Sequence, residues 1–383
     1  MGPSDEALDA SLADWRRNGA PQQILRDADR ARLMHRIDLN GMGPFLALTT
    51  DSNSLPQDMA QLLQHRLLAR EMWEEQHKRV LASALDALTE AGLSPILMKG
   101  TALAYSHYPR PSARVRGDSD LLVEEDGRAR AFEALEKAGF RRALAVDGTT
   151  IRAEALFQKA DLTGQLHDID LHWRLNSSPV LARLFTHAEL LARSKPLESL
   201  HPVARRLGDV DALLFASVHR RLHIDRPTHI YLNGVAHPVI DSLLWLTDIA
   251  LLFDAMDTDA RSDLVERARS KAISDVVSDT LVQISKQLGC PVETDILKRL
   301  DFEGPRHVSR YIAAGPLQSI FMNLSAIRGL RRKKRYLREL LLPDADYMRA
   351  RFARGRFDWL AVLHMRRLIP GMLRNLRKRP RKS

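Results

Sequence analysis

The sequence predicts an α+β fold, in which a small mixed sheet sits between helical regions, and three observations carry that reading. Between residues 90 and 175, short apolar runs with strand-like alternation (Pro95–Met98, Arg116–Val123 and His167–Arg174) are separated by turn signals. Ahead of them, Pro56 to Gly92 carries Leu62, Leu63, Leu67, Leu68, Met72, Val80, Leu81, Leu85 and Leu88 at helical spacing. Behind them, from Ser177 onward, the pattern is helical almost to the end of the chain.

Taken in order, Asp5–Trp15 and Gln22–Ile37 read as short helices punctuated by Pro21 and by Gly41 and Gly43. Pro56 suits a first helical turn and Gly92 a stop. The strand Pro95–Met98 follows, then a short helix Thr101–Tyr108, a turn at Pro109–Pro111 and the strand Arg116–Val123. Glu124, Glu125 and Asp126 open a helix over Arg128–Ala138, the acids lying at the dipole end that favours them. Phe140–Val146 reads as a strand and Asp147-Gly148 as a hairpin turn. Ala155–Ala160 and His167–Arg174 then pair around Gly164. Helices are expected over Ala204–His223, Val239–Phe253, Asp263–Leu288 and Pro291–Leu300. The implied organisation is a helical lead-in over 1–92, an α/β core over 93–175, a helical domain over 176–325 and a basic tail over 326–383.

With 383 residues the chain is long for one compact domain, and 45% hydrophobic content can build a core. The single cysteine, Cys290, excludes an internal disulfide framework and a cysteine-based zinc site. The start, Met1 to Glu6, is polar and carries no signal-like apolar run, and no stretch reaches transmembrane length, so a cytoplasmic protein is expected. A net charge of +10 admits an anionic partner, but much of the excess lies after Arg328.

The chemistry gathers in two places. On a strand, Asp118 and Asp120 share a face, their Cα atoms about 7 Å apart, while Leu121 and Val123 point into a core. In His167–Trp173 the alternation puts Asp168, Asp170 and His172 on one face and Ile169, Leu171 and Trp173 on the other. Carboxylates aimed at one spot repel unless a cation or proton lies between them, and oxygen ligands of this kind suit Mg²⁺. If the two strands are neighbours, three carboxylates reach one metal region. Lys99, with the amides of Gly100 and Thr101 at a helix start, suits a triphosphate. One D-x-D is common by accident; the order Lys-Gly, helix, D-x-D, strand, D-x-D is much rarer.

Two further features stand apart. His219 and His223 have the i, i+4 spacing that can hold zinc, though no third ligand is apparent. Arg328, Arg331, Arg332, Lys333, Lys334, Arg335 and Arg338 form one basic cluster, and Arg366 to Lys382 a second. Such an amphipathic basic tail is suited to an anionic membrane surface, to nucleic-acid phosphates or simply to solvent.

These motifs resemble an uncharacterised nucleotidyltransferase-like family of the DNA polymerase β superfamily. The resemblance rests on Leu97-Met98-Lys99-Gly100, Tyr108, Arg114, Asp118-Ser119-Asp120-Leu121-Leu122-Val123, Asp170-Leu171-His172-Trp173 and Leu243-Leu244-Trp245-Leu246-Thr247-Asp248-Ile249-Ala250, and covers roughly 55–300. It implies a polymerase β-like core with a helical N-terminal extension and a helical C-terminal domain. It also implies Mg²⁺ or Mn²⁺ bound by Asp118, Asp120 and Asp170, an NTP substrate (ATP most simply) held by Lys99, Gly100, Thr101 and Arg114, and an acceptor hydroxyl. Asp170 would serve as base or second-metal ligand. Ser119 departs from the usual apolar residue and predicts weaker packing behind the metal site. The acceptor, whether small molecule, peptide or protein, is not legible. An inactive nucleotide-binding regulatory module and a nucleic-acid-binding protein that uses the basic tail are the alternatives, the latter disfavoured by the absence of aromatic-basic interleaving.

Overall fold

The computed structural model describes residues 4–19, 27–143, 152–225, 228–232, 235–239, 241–301, 304, 306–343, 345–352, 359–360 and 362–365. The second basic cluster, Arg366 to Lys382, the end of the expected strand Phe140–Val146 (residues 144–146) and the expected turn Asp147-Gly148 lie outside them. Helix α1 (Asp5–Asn18) is capped by Ser4, whose Oγ accepts from the Ala7 amide, and ends at a left-handed Gly19. Helices α2 (Asp27–Leu39) and α3 (Gly43–Thr49) lead to α4 (Gln57–Glu90), whose 34 residues match the long apolar stripe. Leu63, Leu67, Val80, Leu81, Leu85 and Leu88 of that stripe are buried, whereas Leu62, Leu68 and Met72 face solvent.

The core elements follow in the expected order: β1 (Ile96–Met98), α5 (Lys99–Ala104), β2 (Asp118–Leu122), α6 (Arg128–Lys137), β3 (Arg141–Arg142), β4 (Glu154–Ala160) and β5 (Leu166–His172). Two further strands, β6 (Lys195–Pro196) and β7 (Arg205–Arg206), complete a seven-stranded mixed sheet of order β3-β4-β5-β2-β1-β7-β6. Both fall in the region read as helical, because two-residue strands show no alternation that a pattern can detect. The same region holds a hairpin, β8 (Thr228–Leu232) and β9 (Val235–Val239), so Val239 ends a strand instead of opening a helix. The fold is α+β, as expected.

Helices α7 (His187–Ala192), α8 (Asp209–Asp225), α9 (Leu243–Asp254), α10 (Thr258–Ser270), α11 (Ser274–Leu288), α12 (Thr294–Leu300), α13 (His307–Ala313), α14 (Pro316–Ala326), α15 (Leu330–Leu341) and α16 (Ala345–Phe352) make up the rest. The single helix expected over Asp263–Leu288 is broken into α10 and α11, with Ala272 in left-handed backbone (φ 55°) between them. No helix among the described residues is long and apolar enough to cross a membrane.

Strand alternation divides the packing. Leu121, Val123, Ile169 and Leu171 point to one face and join Val80, Leu81, Leu85 and Leu88 of α4 with Ala131 and Leu135 of α6. Ile96, Met98 and Leu122 point to the other, into a continuous apolar cluster that runs from α1 through α13. Asp118 and Asp120 share the Leu122 face. The acidic residues therefore look toward the helical region that follows the sheet, and α4 and α6 cover the opposite face.

Candidate active site

Strand pairing brings the two acidic motifs together. β2 and β5 run parallel in a register that sets Asp118 beside Asp168 and Asp120 beside Asp170, and antiparallel β1 sets Met98 opposite Asp120. Ligand atoms of Asp120, Asp170 and His172 lie within 4.8 Å of one another, a cluster that could hold a metal ion and the one such group found among the described residues. Asp168 sits at the edge of the group, where Gln158 Nε2 donates to it at 2.8 Å.

The electrostatics separate these carboxyls. On Asp120, burial favours the neutral form, but Lys99 and His172 outweigh it and hold the carboxyl well below its usual range. Lys99 Nζ donates to Asp120 Oδ1 at 2.6 Å and His172 Nε2 approaches the same oxygen at 2.9 Å. His172 Nδ1 lies 3.2 Å from Glu154 Oε2, close enough for an ion pair but without hydrogen-bond geometry. Asp118 is raised, first by burial and then by the charge of Asp120. Asp170 is pushed up to about 7 by burial and by Asp118 and Asp120. Two carboxyls with raised pKa values beside a third whose value is lowered mark a site crowded with negative charge. For Lys99, burial opposes the charged form, yet Asp120, with Asp118 and Glu154, keeps the ammonium's pKa above its ordinary value.

Lys99 is held by the turn that links β1 to α5, where its backbone is left-handed (φ 49°). Arg114 packs its guanidinium against Gly100, 3.4 Å from where a Cβ would stand. It also donates from Nε and Nη2 to Asp248 of α9, both at 2.7 Å, and Tyr108 Oη donates to the same carboxylate at 2.7 Å. Arg114 and Asp248 are both buried, so the pair ties the turn to the helical region. A cavity of about 60 Å³ lies between them, bordered by Lys99, Arg114, His219 and Trp245. His219 and His223 approach Nε2 to Nε2 at 3.0 Å and pack on Trp245, with no third ligand for zinc among the described residues. Burial first, then the Lys99 charge, lowers the pKa of both imidazoles, and His219 also feels Asp120 and Arg114. This wall is therefore electrically part of the site.

The sequence did not reveal what lies beneath β2. Ser119 is fully buried, and instead of a packing defect it is the middle of a polar chain. Arg116 Nε donates to Thr101 Oγ1 (2.9 Å), which lies 2.7 Å from Ser119 Oγ; that hydroxyl is 2.6 Å from His77 Nε2. His77 Nδ1 lies 3.2 Å from His167 Nδ1, and His167 Nε2 is 3.0 Å from Asp161 Oδ2. One proton assignment satisfies every link: Thr101 donates to Ser119, Ser119 to His77, His77 to His167 and His167 to Asp161, with both imidazoles neutral. Burial, then the Arg116 charge, pushes His77 far below its ordinary pKa, in agreement with that assignment. The available signal was Glu74 and His77 at helical spacing within the buried stripe of α4. Glu74 joins the same layer, accepting from Arg116 Nη2 at 2.5 Å and from Tyr105 Oη at 2.7 Å.

The family model for an uncharacterised nucleotidyltransferase matches residues 27–289. No curated protein matches the chain.

Proposed function

The chain belongs to this nucleotidyltransferase family, whose match takes in the whole sheet and helices α2 to α11, and from that premise we propose that it transfers a nucleoside monophosphate, AMP most simply, from an NTP to an acceptor hydroxyl. The observation that carries this reading is the parallel register setting Asp120 beside Asp170, with Asp118 and His172 on the same face.

The residues fit a divalent cation. Carboxylate oxygens suit Mg²⁺ and Mn²⁺, and the imidazole among them is the more natural for Mn²⁺. Asp118, Asp120 and Asp170 would hold it, with His172 as ligand or as the group that orients Asp120. When bound, such a cation neutralises phosphate charge and aligns the α-phosphorus for in-line displacement.

The chain's own groups then divide the work. Lys99 and His172 both engage Oδ1 of Asp120, which leaves Oδ2 directed to other partners. Lys99, with the amides of Gly100 and Thr101, binds the triphosphate; Arg114 holds the turn against Asp248 and adds its charge behind it. Asp170, pushed up to about 7, is suited to accept the acceptor's proton near neutral pH. The acceptor oxygen bonds to the α-phosphorus as the bond to pyrophosphate breaks, and the hydroxyl proton passes to Asp170. His219, His223 and Trp245 offer the nucleoside a wall beside Lys99.

Incubation with NTPs labelled at the α-phosphate, with Mg²⁺ or Mn²⁺, tests the reading. Label should move to an acceptor or to the protein itself, with ATP preferred, and transfer should fall to background in the Asp118→Ala, Asp120→Ala double variant. Transfer that survives in that variant would sink the assignment.

A further inference from the structure

A second cleft opens beyond the ends of β2 and β5, at the far end of β2 from Lys99. Its volume is about 430 Å³. Leu122 borders it, two positions beyond Asp120 on the same face and so about 7 Å along the strand. Trp173, which follows His172, borders it too. Five arginines line the same space, Arg174, Arg183, Arg328, Arg332 and Arg335; Arg174 also donates to the Arg152 carbonyl and lies near Glu125 and Glu339.

The cleft is built by more than surface side chains. Arg332 and Arg335, at i, i+3 spacing, share one face of α15, and Arg328 lies in the turn before it. Buried Asn323 of α14 fixes that wall: its Oδ1 accepts from Ser178 Oγ at 2.9 Å and from the Val180 amide at 3.4 Å. Its Nδ2 donates to Tyr311 Oη and to Tyr336 Oη, each at 3.2 Å, and Tyr336 is the buried residue of α15. One amide thus locks α13, α14 and α15 to the segment that follows β5, from which Arg183 arises. On the opposite side the Arg128 guanidinium lies 5.0 Å over the Trp173 ring. Guanidinium forks gathered around one cavity repel each other and match phosphate oxygens bidentately.

We propose that this cleft holds the acceptor, and that the acceptor is a small molecule bearing a phosphate group. Its identification as an acceptor site rests on the nucleotidyl-transfer reading above; the affinity for phosphate does not. The size favours a small molecule, since cavities of roughly 300–1,000 Å³ suit such ligands and a nucleic-acid strand needs an open track with stacking aromatics. The arrangement puts the NTP toward Lys99 and the acceptor toward Leu122, with Asp120, Asp170 and His172 between them.

Calorimetric titration of the full chain tests this, using inorganic phosphate, ribose 5-phosphate and ribose as probes in the absence of NTP. Ribose 5-phosphate should bind, ribose should not, and phosphate should compete. The Arg332→Glu, Arg335→Glu double variant should weaken the phosphate ester at least tenfold while leaving a non-hydrolysable ATP analogue with Mg²⁺ within twofold of its original affinity. The milder Arg332→Gln variant provides the same comparison should the charge reversal unfold α15. Equal binding of ribose and its phosphate, or no phosphate-dependent binding, overturns the proposal. Loss of the ATP analogue in place of the sugar phosphate overturns it too, since the cleft would then serve the nucleotide. Capture of an RNA oligonucleotide or anionic phosphatidylserine vesicles through these arginines, without sugar-phosphate binding, assigns the cleft to a macromolecular surface and overturns it as well. Failure of the unaltered chain to bind the ATP analogue counts against nucleotidyl transfer alone.

Discussion

Asp170 offers the sharpest test of the site's electrostatics, because Asp170→Asn removes one charge and keeps the shape. Burial first, and then Asp118 and Asp120, push its carboxyl up to about 7. Relative to about 3.9 for an unfolded aspartate, at ~1.36 kcal/mol per pH unit, ionising it in the folded, metal-free protein costs on the order of 4 kcal/mol. Partial exposure of the carboxyl makes this an upper figure. The folded pKa lies above the unfolded one, so the folded chain holds the proton more tightly. Asp170 therefore does not weaken the fold below about pH 4, and its cost grows as pH rises toward 7. Denaturant unfolding in EDTA should show the Asp170→Asn variant gaining about 3–4 kcal/mol on the unaltered protein between pH 4 and pH 8. Adding Mn²⁺ or Mg²⁺ at pH 8 should shrink that gain by stabilising only the protein that keeps the carboxylate. A gap that stays constant with pH, or ignores the cation, refutes the picture of three crowded carboxylates.

Two other substitutions probe the scaffold. Ser119→Ala leaves His77 and Thr101 without their shared partner in a buried layer, and should destabilise by about 1–3 kcal/mol in equilibrium unfolding; a neutral or stabilising result would remove the polar chain from the argument. Arg114→Met strands Asp248 and should cost about 3–5 kcal/mol, whereas the Arg114→Met, Asp248→Leu double variant should recover much of that in the same measurement. Nucleotide affinity of the double variant then separates phosphate binding by Arg114 from its role in tying the turn to α9.

What could be read from the sequence was local and periodic. Asp118 and Asp120, and then Asp168, Asp170 and His172, fell on single strand faces because side chains alternate with a period of two. The adjacency of those strands was a conjecture that only the β2–β5 register could answer. The family resemblance makes Arg114 a phosphate ligand, but its partner Asp248 is 134 residues away and no spacing in one sequence points to it. His77 reaches Ser119 across 42 residues, so the serine looked like a lost packing contact. Strands β6 and β7 are two residues each, below the length at which alternation carries information. The region after Ser177 therefore read as purely helical although part of it closes the sheet edge.

Lys99 joins these levels. A non-glycine residue in left-handed backbone is disfavoured by roughly 1–2 kcal/mol, and a glycine at this turn would avoid that strain. Glycine, however, would leave Asp120 buried beside Asp118 and Asp170 with only His172 to oppose its charge. Burying an uncompensated carboxylate costs several kcal/mol, more than the strain at φ 49°. The lysine is therefore the cheaper solution for a chain that must keep three carboxylates together. It also fixes which oxygen of Asp120 is occupied: Oδ1, shared by Lys99 and His172. Crowding of negative charge at the end of two parallel strands raises the pKa of Asp170, and the Lys99 and His172 partners gathered by Asp120 hold that carboxyl low.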